Sequence, residues 1–215
     1  ICGIASSFGD GLDARVFPHG CELSKAHGGI AIQVINPLSM DTIKANLDLA
    51  KAAQPFAVSL VIDSAGLPHL KKVSPDAGAK SAEQLHELCE YAEMPVIIKG
   101  VMTVQGAAKA ADAGAAAIVV SNHGGRVLAG AAATAEVLPE IVDAVGDRVK
   151  IIVDGGIRSG TDIFRALALG ADAVMICRPF LISYYGGKTD GIVTYIEKLR
   201  AELKDAMYTV SYTHL

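Results

Sequence analysis

Ser121-Asn-His-Gly-Gly-Arg126 follows directly on an apolar run, Ala115–Val120. A strand ending on a histidine, two glycines and an arginine sets a base and a fixed cation beside backbone that a ligand can approach closely. A second apolar run, Ile151–Val153, ends in the same manner on Asp154-Gly-Gly-Ile-Arg158 and leads into a helical pattern. Glycine N–H groups ahead of a helix favour an anion. Arg178, in Ile176-Cys-Arg-Pro179, adds a guanidinium able to fork onto phosphate. For one Gly-Gly, a tight turn with a surface arginine is the simpler account. Two such strand ends in neighbouring units favour a phosphate site.

Residues so far apart meet only if the chain brings strand ends together. Short apolar segments rich in Val and Ile recur at Cys2–Phe8, Ala31–Ile35, Ala57–Ile62, Pro95–Lys99, Ala116–Ser121, Val149–Asp154 and Ala173–Ile176. That pattern marks strands buried on both faces. Helical spacing separates most of them: Leu85, Leu88, Cys89 and Ala92; Val104, Ala107, Ala108 and Ala111; Ile163, Ala166, Leu167 and Gly170; Ile192, Tyr195, Ile196 and Leu199. Repeated βα units predict a parallel sheet with right-handed crossovers. Polar residues gather just past the strands, at Gly9-Asp10-Gly11, Asp63-Ser64, Lys99-Gly100, Ser121–Arg126, Asp154–Arg158 and Cys177-Arg178. A doubly wound sheet concentrates function at one switch point, whereas a TIM (β/α)₈ barrel spreads it over one rim, so six such ends favour the barrel. Seven strands are one short of eight, and Ile1 opens inside an apolar segment. The expectation is an incomplete barrel, strands two to eight with their helices and the first strand missing.

The 215 residues suit one domain, 51% hydrophobic and without tryptophan. A net charge of −4 with no basic block argues against nucleic acid or an anionic membrane as partner. Cys2, Cys21, Cys89 and Cys177 are scattered, which leaves no zinc or C-x-x-C redox motif and fits a reducing compartment. No charge-free apolar stretch reaches the ~18 residues of a membrane span. The expected location is the cytoplasm.

Four stretches, Pro95–Gly100, Val119–Arg126, Val153–Asp162 and Ala166–Ala171 with Arg178-Pro179, resemble in order and spacing the FMN-dependent α-hydroxy-acid oxidase and dehydrogenase family. The resemblance implies FMN as cofactor and oxidation of a 2-hydroxy acid to the 2-oxo acid. Oxygen or another electron acceptor, and a homo-oligomeric full-length protein, are implied with it. Carried over by position, His123 is the base and Asp63 orients it, while Arg126 holds the substrate carboxylate. Lys99 lies beside the flavin pyrimidine edge, and Gln33 and Ser121 hydrogen-bond the ring. Gly124, Asp154, Gly155, Gly156, Arg158 and Arg178 complete the cofactor site. No metal is implied.

Simpler roles exist for several of these. Asp63-Ser64 is also an ordinary turn or N-cap, a strand-end histidine can cap a helix, and Lys99 can be a snorkelling surface lysine. His19, His27, His69, His86 and His214 lack any such context and are expected to be structural or exposed. The chain also departs from the family pattern. Ser64–Leu70 carries no arginine where a second substrate arginine is usual, Ile35 replaces a tyrosine, and Cys177 replaces a glycine beside Arg178. Ala129 and Ala132 replace Asp and Pro. Residues 1–208 are thus expected to form the partial barrel, with Thr209–Leu215 a tail foreign to the family. Two other readings are an FMN-dependent isomerase of the type 2 isopentenyl-diphosphate class, which needs no His-Gly-Gly-Arg clamp, and a phosphate-binding barrel without redox chemistry.

Overall fold

The computed structural model describes residues 2–10, 13 and 15–213; Ile1, Gly11, Leu12, Ala14, His214 and Leu215 lie outside the described residues. The strands are β1 (Ser6–Gly9), β2 (Ala31–Ile35), β3 (Ala57–Val61), β4 (Val96–Val101), β5 (Ala117–Val120), β6 (Lys150–Val153) and β7 (Ala173–Val174). The helices are α1 (Val16–Ala26), α2 (Met40–Ala53), α3 (Pro68–Val73), α4 (Ala82–Ala92), α5 (Val104–Asp112), α6 (Thr134–Val145), α7 (Gly160–Ala168) and α8 (Arg178–Thr213). All strands pair in parallel and in chain order, β1 to β7, as expected from the sequence. Boundaries shift by a residue or two, except at β1, which starts at Ser6 rather than Cys2.

Side chains alternate between two faces. Ile35, Val58, Leu60, Val96, Ile98, Ile118, Val120, Ile151 and Val153 pack with helix residues such as Leu47, Leu88 and Leu138 in one large core. Ile32, Ala57, Ile97, Ala117 and Val119 face the other way and form a smaller concave cluster. With α1, α2 and α4 to α7 all packed on one face, the twisted sheet curls into a half-barrel, a partial TIM barrel. The curl brings α8 round to the start of the chain, where the Arg200 guanidinium donates to the Cys2 carbonyl.

Helix starts follow short polar caps. Ser39 accepts from Thr42 N–H at 3.2 Å, Thr103 from Gly106 N–H at 3.0 Å, and Ser81 and Gln84 form a reciprocal capping box. The sequence pattern did not single out α1, α2 and α6, but each buries an apolar stripe, such as Ile43, Leu47 and Ala50 on α2. α8 is broken where Lys188 takes φ +52°.

α7 and α8 meet at Gly160, whose N–H donates to Glu202 Oε2 at 2.7 Å. A Cβ on Gly160 would land on the backbone of Leu199 and Leu203. Gly160→Ala should therefore destabilise the fold by about 1–3 kcal/mol, as overpacking does. Gly78→Ala, whose Cβ would meet nothing within 4 Å, should stay within about 0.5 kcal/mol of the parent. Urea unfolding of both variants checks the contrast.

Candidate active site

The polar strand ends converge on the C-terminal rim. Lys99 lies near the end of β4, and its Nζ donates to Ser121 Oγ at 2.8 Å and lies 3.0 Å from Asp154 Oδ2. The Lys99 and Asp154 side chains are 13% and 17% exposed, so each meets its opposite charge largely out of solvent, where an unpaired charge is costly. Ser121, fully buried just past β5, also accepts the His123 backbone N–H at 3.1 Å. Lys99 is thus no surface lysine. It is fixed inside the rim.

His123 takes φ +56°, and Gly124 and Gly125 follow at +65° and +74°. Left-handed backbone is strained for histidine and free for glycine. The turn is clamped by Asn122, whose Oδ1 accepts from Gly125 N–H at 3.1 Å and whose Nδ2 donates to Ala132 O at 3.0 Å. So placed, the imidazole points its Nδ1 at Asp63, 3.2 Å from both carboxylate oxygens. Asp63 opens a 3-10 turn, Asp63–Gly66, after β3, and its side chain is 10% exposed. Between β3 and β5 runs β4, whose register with β5 shifts between Lys99 and Val101. The residue at that irregularity is Gly100, at φ +104°, and a Cβ there would stand 2.6 Å from Asp63 Cβ and Cγ. Gly100 is therefore the gap through which Asp63 reaches His123. A glycine ending an apolar strand was a readable bulge signal, although its role was not.

Around the second glycine turn, Gly155 and Gly156 take φ +93° and +76°, and nothing lies within 4 Å of a Cβ built on Gly156. Thr134, at the start of α6, donates to Asp154 O at 2.7 Å and anchors this turn. No sequence pattern marked Thr134. Arg178 lies across the first turn, with a Cβ on Gly124 falling 2.5 Å from its Nη2. Arg126 and Arg158 are exposed. Among the described residues the Arg126 guanidinium has no hydrogen bond or ion pair, while Arg158 Nη1 turns back onto Ile157 O at 2.8 Å.

Gln33 stands apart from this cluster. The strand alternation points it, with Ile35, into the helix layer, where its Oε1 accepts from the Cys21 thiol of α1 at 3.2 Å. The expected contact between Gln33 and a ring in the barrel mouth has no counterpart in this arrangement. The other histidines are as expected where described: His19 is exposed beside Glu22, His27 is exposed, and His86 Nδ1 sits 3.3 Å from Ala113 O.

A histidine aligned on a carboxylate, a half-buried lysine and two glycine turns with arginine nearby thus lie together on the rim of the partial βα barrel. The chain belongs to the FMN-dependent dehydrogenase family, whose pattern matches residues 69–215. It is 46% identical over 125 residues to the 4-hydroxymandelate oxidase of Amycolatopsis orientalis, covering 58% of this chain and 35% of that protein. It is 45% identical over 133 residues to the L-lactate oxidase of Nostoc sp., covering 62% and 36%. The chain thus spans about a third of these relatives. A lactate oxidase structure from Pediococcus acidilactici superposes with a TM-score of 0.76 at 35% identity, covering 87% of this chain and 59% of that one. Family members use FMN, and these relatives act on 2-hydroxy acids. Among the described residues no helix is long and apolar enough to cross a membrane, and no cluster suits a metal.

Gly100→Ala should force a Cβ into Asp63 at a backbone angle hostile to side chains, at about 1–3 kcal/mol. Denaturant unfolding should show that loss, and a crystal structure of the variant should show Asp63 displaced from His123. A wild-type-like Asp63 would remove Gly100 from this role.

Proposed function

We propose that this chain carries the chemical rim of an enzyme that oxidises a 2-hydroxy acid to a 2-oxo acid with FMN as electron acceptor. The observation that carries the reading is the Asp63–His123 pair set beside Lys99 and Ser121. A phosphate-binding barrel without redox chemistry has no use for it, and an isomerase needs no arginine beside its histidine.

The residues present fit FMN. Asp154 Oδ1 is buried without a hydrogen-bond partner, as an acceptor awaiting a ligand hydroxyl would be. The Gly155-Gly156 turn leaves open space at Gly156, and Arg178 supplies a fixed cation nearby. Asp154, Gly155, Gly156, Gly124 and Arg178 would hold the ribityl phosphate, with Arg158 reaching it only by leaving the Ile157 carbonyl. Bound FMN would supply the two-electron acceptor. Lys99 would balance negative charge near the ring, held for that task by Ser121 and Asp154. Ser121 Oγ already accepts two bonds, which leaves its own proton for a ring acceptor.

With Nδ1 facing Asp63, a proton held between the two would leave Nε2 as the acceptor. His123 Nε2 takes a proton from the substrate, and the Asp63 carboxylate stabilises the imidazolium that results. Arg126, exposed and without a side-chain partner among the described residues, is free to fork onto the substrate carboxylate. Ile35, directed into the helix core, offers no hydroxyl to the substrate.

In the full gene product, His123→Ala should keep FMN but lose about 10²–10⁴-fold in anaerobic flavin bleaching by a 2-hydroxy acid. Bleaching at the parental rate would take His123 out of the mechanism. Arg178→Ala should weaken FMN by about 1.5–3 kcal/mol and leave riboflavin nearly unchanged, because only FMN carries the phosphate. Equal losses for the two ligands would place Arg178 elsewhere.

A further inference from the structure

Three polar side chains outside the Asp63–His123–Ser121–Lys99–Asp154 cluster meet on the same rim, at the ends of β1, β2 and β3. Asp10, 7% exposed, takes two bonds from one residue. Asn36 N–H donates to its Oδ2 at 2.9 Å, and Asn36 Nδ2 donates to its Oδ1 at 2.5 Å. That arrangement dictates which way the Asn36 amide points, since a flipped amide would set carbonyl oxygen against carboxylate. Asn36 Oδ1 therefore faces Ser64, whose hydroxyl, in a residue only 1% exposed, donates to it at 3.0 Å. Ser64 is the second residue of the turn that Asp63 opens.

This trio is satisfied internally, so it is no ligand subsite. It is also costly. Burial pushes the Asp10 carboxyl up from its ordinary range, against the bonds from Asn36 that draw it down. Apolar residues would close the three strand ends without that penalty. What they would not do is fix the orientation of the Asp63 turn across three strands. The contact served by that orientation is delicate: both Asp63 oxygens stand at 3.2 Å from His123 Nδ1, where a shift on the order of 1 Å breaks it.

We propose that Asp10, Asn36 and Ser64 are positioning residues that hold the Asp63 carboxylate on His123 Nδ1. The consequence for rate rests on the reading of His123 as base. Ser64→Ala removes the donor at one end. Asn36→Asp sets two carboxylates face to face. The swap Asp10→Asn with Asn36→Asp restores every donor and acceptor, with the amide now on residue 10 and the carboxylate on residue 36.

Two readouts apply to the full gene product. Without FMN or substrate, the ¹⁵N signals of the neutral His123 ring tell which nitrogen carries the proton. The parent and the swap should carry it on Nδ1, and both single variants should mix in the Nε2 form. With FMN and a 2-hydroxy acid, the single variants should lose about tenfold in flavin reduction at unchanged KM, and the swap should recover it. Lower melting temperatures with an unmoved tautomer and rate would reduce the trio to a structural network and overturn the proposal. Should the single variants fail to fold, the swap decides alone, and a folded swap with a mixed tautomer overturns it. A parent that never bleaches, while the tautomer still shifts in the single variants, sinks the hydroxy-acid reading and upholds the positioning.

Discussion

A side chain just past β3 can reach one just past β5 only by crossing the end of β4, and at the crossing point β4 carries Gly100. The absence of a Cβ there, together with the register shift beside it, lets Asp63 stand against His123. Much of the rim hangs from that contact. The imidazole is held by its own backbone to Ser121, Ser121 to Lys99, and Lys99 to Asp154, so one hydrogen-bonded belt ties β3 through β6. On the near side Ser64, Asn36 and Asp10 extend the belt to β1. A bulge that elsewhere would weaken a strand here sets the geometry of a site.

The belt also settles how charge is kept at a half-buried rim. Lys99 is paired with Asp154 and bonded to Ser121, and Asp63 has the imidazole. What remains open is informative. Asp154 Oδ1 has no partner, the Arg126 guanidinium has no hydrogen bond or ion pair among the described residues, and Arg178 lies over glycine backbone. An unsatisfied acceptor and exposed guanidinia are the features that a polyhydroxylated, anionic ligand would complete. The strain in the His123 turn belongs to the same account, since left-handed backbone at a non-glycine persists only when its surroundings over-determine it.

Much of this was legible in the residues themselves. Seven βα units, their order and the rim position of Lys99, His123, Asp154 and Arg178 follow from apolar runs ending on polar residues, because a parallel sheet with same-side crossovers leaves all such ends on one edge. Which face each strand residue takes was not legible. Gln33 sits on β2 two residues before Ile35 and reads as readily inward as outward, yet Phe8 of β1 packs on Gly20 of α1 and its register partner Gln33 joins it on the helix side. Face depends on absolute register, and a one-residue offset reverses it.

Residue types and order were thus enough to determine the βα repeat, the glycine turns and the histidine–arginine pair, since each depends on local backbone preference and on burial averaged over a strand. Only the tertiary structure decided that Gly100 is the passage for Asp63, that Thr134 and Asn122 clamp the two turns, and that Asp10 reaches Ser64 through Asn36. Apart from the Asn122 clamp, those relations join groups 20 or more residues apart in the chain. Distance along the chain carries no information about them, and only the register of one strand against the next brings their atoms within hydrogen-bonding reach.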